Sequence, residues 1–403
     1  MLIDKINLTL FLPSRILGGA ERQFINIANL LSTYRNINLT VIDSSKQHII
    51  KGIKSNNVKK IVAGSKKVKV KNSVLLTTAN YAFCIKSMVD IEETEVKFLF
   101  LSHYNLPHVY LSYFLPKPLS TFFKYIFIDR YRRSMKLMES SLIFNDQDIK
   151  SFYENFYDIE LNSDLMGLKY DLAIPNEVEN KTSYENIITW IGRLDKPSSF
   201  YAIEKIIYDI STAKNLGKNF KFKIIGDGDN KKKLLNIVEN HNLRNIIKFE
   251  GHIDYEELPK KLKKTKVLFA NGTSVYEGIK SNIPVVVFDL LRESDVDHKY
   301  LYSFYSERPD GILGKTISNF DENIDGHSFE EILRISNSSQ REIIVKNSYE
   351  KALKILNKGS DSIKQQFLTK QEICPSEQQQ YILDALFFKF RNLIKDRNEK
   401  NTF

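Results

Sequence analysis

The sequence predicts an α/β protein made of two doubly wound, Rossmann-like domains facing a cleft. Three observations carry that expectation. Short apolar runs alternate with amphipathic helical stretches up to about residue 174, and the same alternation restarts at Asn186. The apolar runs end in glycines or polar pairs, as strands do where a parallel sheet turns into its crossover helices. A chain of 403 residues is long enough for two separate cores.

In the first half, Ile6 to Leu12 reads as a strand followed by a loop from Pro13 to Gly19. The helix from Ala20 carries Phe24, Ile27, Ala28 and Leu31 at helical spacing and so packs on a sheet. Leu39 to Ile42, Ser73 to Thr77, Val96 to Leu101 and Ser141 to Phe144 are further short strands, and Gln147 to Phe156 is a helix. Leu172 to Ile174 closes this half before Pro175 and Asn176. In the second half, strands are expected at Ile187 to Ile191, Phe220 to Ile225, Ile246 to Glu250 and Val267 to Ala270. Helices are expected at Tyr201 to Ala213 and Lys231 to Glu239, with Asp254 and Glu257 as a capping box for the next one. The expected domains are 1–177, 178–345 and a helical tail 346–403 that packs back on the first domain.

The most informative stretch is Phe269 to Glu277 running into Pro284 to Phe288. A strand ends at Asn271 and Gly272, and a helix starts at Thr273 or Ser274 with a hydroxyl at its cap. Its amides and dipole offer an anion site, with Glu277 about one turn inside. An ordinary helix cap explains the segment equally well. In parallel sheets, ligands sit at the carboxyl ends of strands, where these polar residues and glycines cluster.

Composition narrows the class. Apolar content of 42% and charged content of 27% are those of a globular protein. Cys84 and Cys374 stand far apart, so neither a metal nor a redox motif is expected and the default compartment is reducing, hence cytoplasmic. The start of the chain reads as a strand, not as a secretory signal. No apolar run is long enough to span a bilayer. The net charge of +10 is partly concentrated between Lys51 and Lys71, which includes Lys66, Lys67, Lys69 and Lys71, and between Lys117 and Lys136. In the latter region basic residues interleave with Phe122, Phe123, Tyr125, Phe127 and Tyr131. Such a segment is either a helix with one buried aromatic face and one solvated basic face, or a contact with an anionic membrane surface. No nucleic-acid module accompanies the charge.

Several local signals together resemble family 4 glycosyltransferases. They are Gly18-Gly19-Ala20-Glu21-Arg22, Ile174-Pro175-Asn176, Gly192-Arg193, Gly226-Asp227-Gly228, Phe249-Glu250-Gly251, and Glu277 with Pro284-Val285-Val286. The resemblance spans about residues 1–290. It implies a GT-B fold and a metal-independent transfer of sugar, with retained configuration, from a nucleoside-diphosphate sugar to a glycan or lipid-linked acceptor. No cofactor besides that donor is implied.

The resemblance also assigns roles. Arg193 would stabilise the leaving diphosphate, His103 would stand beside the donor sugar, and Lys196 would substitute for a lysine whose usual place falls on Ser198. Gly18, Gly19, Gly226, Gly251, His252, Ile253, Gly272, Thr273 and Ser274 would line the donor, and Glu277 would accept hydrogen bonds from the ribose. One departure concerns a second glutamate that the family places eight positions before the last. Here that position is Phe269. The implied setting is polysaccharide synthesis on the cytoplasmic face of a bacterial membrane. A non-catalytic subunit and a nucleotide-sugar epimerase are the alternatives. Asp227-Gly228-Asp229 also has the form of a metal motif.

Overall fold

The structure, a computed structural model, describes residues 5–14, 17–64, 66–82, 85–101, 128–129, 131–172, 186–195, 197–215, 220–291, 300–317 and 325–368. The chain divides into two compact units, Met1–Tyr170 with Leu356–Phe403, and Asp171–Ile355.

The first unit contains strands β1 (Ile6–Phe11), β2 (Ile37–Asp43), β3 (Lys59–Val62), β4 (Val68–Lys71), β5 (Val74–Thr78), β6 (Val89–Glu92), β7 (Glu95–Phe100), β8 (Leu142–Phe144) and β9 (Asp164–Leu165). Seven of them form a parallel sheet in the order β3-β2-β1-β5-β7-β8-β9, and β4 pairs with β6 separately. The direction of winding reverses between β1 and β5. Both faces are covered, one by Phe24, Ile27 and Leu31 of the helix Gly19–Leu31 and the other by Tyr153 and Tyr157 of the helix Gln147–Tyr157. That double burial accounts for the apolar runs Val74-Leu75-Leu76, Phe98-Leu99-Phe100 and Leu142-Ile143-Phe144 in the inner strands.

The end of the long helix Gln340–Leu368 belongs to this unit. Ile363 and Phe367 enter its core, and Ser362 Oγ donates to the Leu165 carbonyl at 2.6 Å. Gly359 permits the approach, since a Cβ there would stand 2.2 Å from the Leu168 oxygen.

The second unit contains β10 (Ile187–Ile191), β11 (Lys221–Ile225), β12 (Ile247–Gly251), β13 (Thr265–Ala270), β14 (Val285–Val287), β15 (Leu290–Leu291), β16 (Ser303–Phe304) and β17 (Thr316–Ile317). Its main sheet runs β12-β11-β10-β13-β14-β16, parallel except for β16, and β15 pairs with β17. The winding reverses between β10 and β13. The core is rich in aromatics: Phe288 stacks on Tyr300 with ring centroids 4.5 Å apart, and Phe269 meets Tyr302 edge-on at 5.4 Å.

Three expectations need correction. Leu172 is irregular rather than the start of a strand, and the rest of that segment lies outside the described residues. Asp254 caps nothing with its side chain; it precedes a 3-10 turn, Tyr255–Glu257, and a five-residue helix, Leu258–Leu262. Pro259 in that first turn already lacks an N–H, which leaves less for a cap to satisfy. Thr273 precedes the helix Ser274–Lys280 but makes no side-chain cap bond, because its own backbone is already helical, at φ −65° and ψ −16°.

Candidate functional site

The expected residues of the second unit gather at one end of its sheet. Gly192 and Arg193 follow β10, Gly226 follows β11, Gly251 ends β12 with His252 and Ile253 after it, and Gly272, Thr273 and Ser274 follow β13. In register, Ile191 of β10 pairs with Ala270 of β13. The Arg193 turn and the Gly272 turn therefore leave neighbouring strands, where the winding reverses and a crevice opens between helices that depart to opposite faces.

The turns touch through backbone. Gly192 N–H donates to the Ile225 carbonyl at 3.1 Å, Leu194 N–H to Asp227 at 3.0 Å, and Gly226 N–H to Gly251 at 2.8 Å. Gly226 adopts φ +144°, and a Cβ there would fall 1.9 Å from the Gly192 oxygen. By contrast Gly251 and Gly272, at φ +74° and +57°, have nothing within 4 Å of a built Cβ, so the space before them is open.

Arg193 is half-exposed and forms a two-pronged pair with Asp195, Nε to Oδ1 at 3.0 Å and a second nitrogen to Oδ2. Such a pair is worth at most about 1 kcal/mol at a surface, so an anion can compete for the guanidinium. Glu277 is buried one turn into its helix, 6% exposed. His252 is exposed, with Asp254 at 3.7 Å. Asp227 turns to the Gly228 N–H and to Lys231, at 3.0 and 3.6 Å, and among the described residues no group of carboxylates, histidines or cysteines could hold a metal.

The helix mouth is narrower than expected. Gly272 N–H is used by the Leu313 carbonyl at 2.7 Å, Val275 N–H by Gly272 and Tyr276 N–H by Thr273. Phe269 also needs a different reading. It lies inside β13 with its ring wholly buried, so no side chain at that position could reach a ligand. Only six residues connect the strand to Glu277, and an acid eight positions before Glu277 cannot stand outside the sheet.

Gly18 and Gly19 lie in the first unit, at the start of the helix Gly19–Leu31, where Gly18 N–H donates to Glu21 Oε2 at 2.7 Å. At this helix start the Gly18 N–H is thus taken by the chain's own carboxylate. His103 and Lys196 lie outside the described residues, and so does most of the aromatic and basic segment. Within its described part Tyr131 and Met135 are buried, burial pushes the Tyr131 hydroxyl well above its ordinary range, and Arg133 pairs with Asp129 at 2.8 Å.

One cluster escaped the sequence reading. Asp289, just beyond β14, is 2% exposed and is held by Arg308 at 3.0 and 2.9 Å, by the Tyr300 hydroxyl at 3.0 Å and by the Lys315 N–H at 2.8 Å. Burial works against the charge on Arg308, yet Asp289 and Tyr300 outweigh it and hold the guanidinium protonated. Burial, and then Asp289, push the Tyr300 hydroxyl upward. The one signal available was a carboxylate at the end of an apolar run, and its arginine stands 19 residues further on.

Comparison with known proteins bears on the same region. Residues 176–296, which include every second-unit residue assigned above, match the family described as "Glycosyl transferases group 1". No curated protein matches the chain. Among solved structures, it is similar to a glycosyltransferase from Rickettsia africae ESF-5, with a TM-score of 0.57 and 12% identity, covering 91% of this chain and 100% of that one. It is similar to sucrose-phosphate synthase from Thermosynechococcus elongatus, at 0.60 and 11%, over 90% and 98%. WaaG, a glycosyltransferase involved in lipopolysaccharide biosynthesis, is similar at 0.50 and 14%, over 88% and 99%. Identities this low speak to fold alone, and the fold is GT-B, with two Rossmann-like α/β domains.

Proposed function

We propose that this protein is a glycosyltransferase that binds a nucleoside-diphosphate sugar at the carboxyl end of its second sheet. The observation that carries the reading is the placement of Arg193 and the segment Asn271 to Glu277 on adjacent strands at the winding reversal, inside the family-matched residues. Breaking the bond between sugar and diphosphate builds negative charge on the leaving phosphate. A fixed guanidinium at a strand end stabilises that charge more than it stabilises the ground state. Glu277 would accept hydrogen bonds from the ribose. The transfer would retain configuration and need no metal, and its acceptor would be a lipid-linked or surface polysaccharide at the cytoplasmic face of a membrane.

Calorimetric titration with nucleoside diphosphates tests the donor site, followed by a search for sugar release from the donor whose nucleotide binds. Absence of binding to any nucleoside diphosphate would sink the reading. The membrane part is tested separately by flotation with anionic liposomes, where unbound protein removes it. A second reading, a nucleotide-binding subunit without turnover, is favoured by the short connection after β13 that leaves no acid before Glu277. Binding without release from any donor sugar would select it.

A further inference from the structure

We infer that Lys315 supplies a second positive charge to the diphosphate site, reaching it from the strap that precedes β17. The inference rests on the donor-site reading above and adds a residue to it. A diphosphate carries more than one negative charge, and Arg193 brings a single positive charge already shared with Asp195.

Three consecutive residues stitch the strap to the ends of β13 and β14. The Leu313 carbonyl accepts from Gly272 N–H at 2.7 Å. Gly314, at φ +116°, lies so close that a Cβ would stand 2.8 Å from the Phe288 oxygen and 3.3 Å from Asn271 Cβ. Lys315 N–H donates to Asp289 at 2.8 Å, and the next residue, Thr316, pairs with Leu290. The backbone of Lys315 is thus anchored beside the turn that holds Gly272, while its side chain is exposed.

The acid bonded to the Lys315 backbone does not cancel the ammonium. Asp289 is buried and its charge is taken by Arg308, so it contributes position rather than opposing charge. A flexible stem ending in a compact cation suits an anion whose position shifts as its bond to the sugar breaks.

The test is titration of the full chain with UDP, GDP, ADP and inorganic pyrophosphate. It compares wild type with Lys315→Ala, Lys315→Arg, Arg193→Ala and Lys221→Ala, the last exposed at the start of β11, at the other end of the sheet. For whichever diphosphate the wild type binds, Lys315→Ala should weaken affinity by about fivefold, with a smaller loss at raised salt. Lys315→Arg should restore most of it, and Lys221→Ala should match wild type. Wild-type affinity in Lys315→Ala, alongside weakened binding in Arg193→Ala, would overturn this inference and leave the donor site standing. Equal losses in Lys315→Ala and Lys221→Ala would reduce the effect to net charge and also overturn it. No binding by the wild type would remove both readings together.

Discussion

The carboxyl ends of the two sheets are built from the same parts and finished differently. In the first unit, acids sit on the helix starts. Glu21 accepts from Gly18 N–H, Asp43 from Ile49 and Ile50 N–H at 2.7 and 3.1 Å, and Asp146 from Ile149 N–H at 2.9 Å. In the second unit the residues before the helices Lys231–Asn240, Leu258–Leu262 and Ser274–Lys280 make no side-chain cap bond. Its helix Phe329–Ile335 is capped by Ser328 and Glu331, but Phe329 packs on Phe220 ahead of β11, at the opposite end of the sheet. A helix start is partially positive, and a carboxylate there satisfies both its amides and its field. The first unit meets its helix starts with its own acids, whereas at these three second-unit helices no capping side chain does so, and at Ser274–Lys280 the amides of Gly272, Val275 and Tyr276 go to backbone carbonyls.

The largest expected effect probes how tightly the second edge is closed by backbone. Gly226→Ala drives a Cβ into the Gly192 carbonyl and should destabilise the unit by about 3–5 kcal/mol, while Gly251→Ala costs only left-handed strain, about 1 kcal/mol. Trp190, the chain's single tryptophan, is buried in this unit's core, so its fluorescence during denaturant unfolding reads both changes. Similar shifts from the two variants would contradict the distinction between the closed and open glycines.

Ligand binding gives the next effect. Arg193→Ala should weaken a nucleoside diphosphate by about 10- to 100-fold, the range of a charge-assisted pair with phosphate. Asp195→Ala removes the competitor for the guanidinium and should leave affinity unchanged or raise it. Weaker binding in Asp195→Ala would instead mark the carboxylate as the group that orients Arg193.

Exchanging the finish of the two edges is subtler. Asp146→Ala should cost the first unit about 1 kcal/mol, seen by circular dichroism, without moving the Trp190 transition. Asn230→Asp places a carboxylate before the helix Lys231–Asn240, next to the Arg193 turn through the Asn230 N–H bond to Leu194 at 3.2 Å. It should add roughly 0.5 kcal/mol of stability and weaken diphosphate binding about twofold to threefold. Stabilisation with unchanged binding would place the ligand elsewhere.

Much of this contrast was legible in the residues. β10, β11, β13 and the helix Lys231–Asn240 fall within two residues of their expected positions, because buried parallel strands and amphipathic helices carry strong periodic signals. β3 was missed: its Lys59-Lys60-Ile61-Val62 pattern is that of a charged edge strand, where lysines guard against further pairing and blur the alternation. β16 has two residues and only the sheet reveals it. At the site, strand-end glycines announced the turns, but the sequence could not show that Glu21 folds back on Gly18 or that Asp289, Arg308 and Lys315 converge. Those are contacts between distant residues with no periodic signature. Counting back from Glu277 to Phe269 found the missing acid but not its cause, since spacing along the chain says nothing about where a strand ends.

The smallest effect asks whether the acid at the end of β12 opposes an anion. Glu250 precedes Gly251 and is paired with Lys248 at 2.8 Å and Lys261 at 3.9 Å. The hydrogen bond from Lys248, opposed in part by burial, and then the charges of Lys248 and Lys261, hold its carboxyl below the ordinary glutamate value. A depressed folded-state value means the stabilisation is present above the unfolded value, near 4.5, and is lost as pH falls through the folded one. Because Lys248 is largely exposed, the pair should contribute only a few tenths of a kcal/mol. Glu250→Gln should therefore be slightly less stable than wild type at neutral pH by Trp190 fluorescence, and equal to it in acid. Diphosphate affinity should hardly change, since the lysines already neutralise the carboxylate. A clear gain in affinity would show that Glu250 still projects negative charge into the crevice, and that the second edge is less cleanly finished for an anion than its uncapped helices imply.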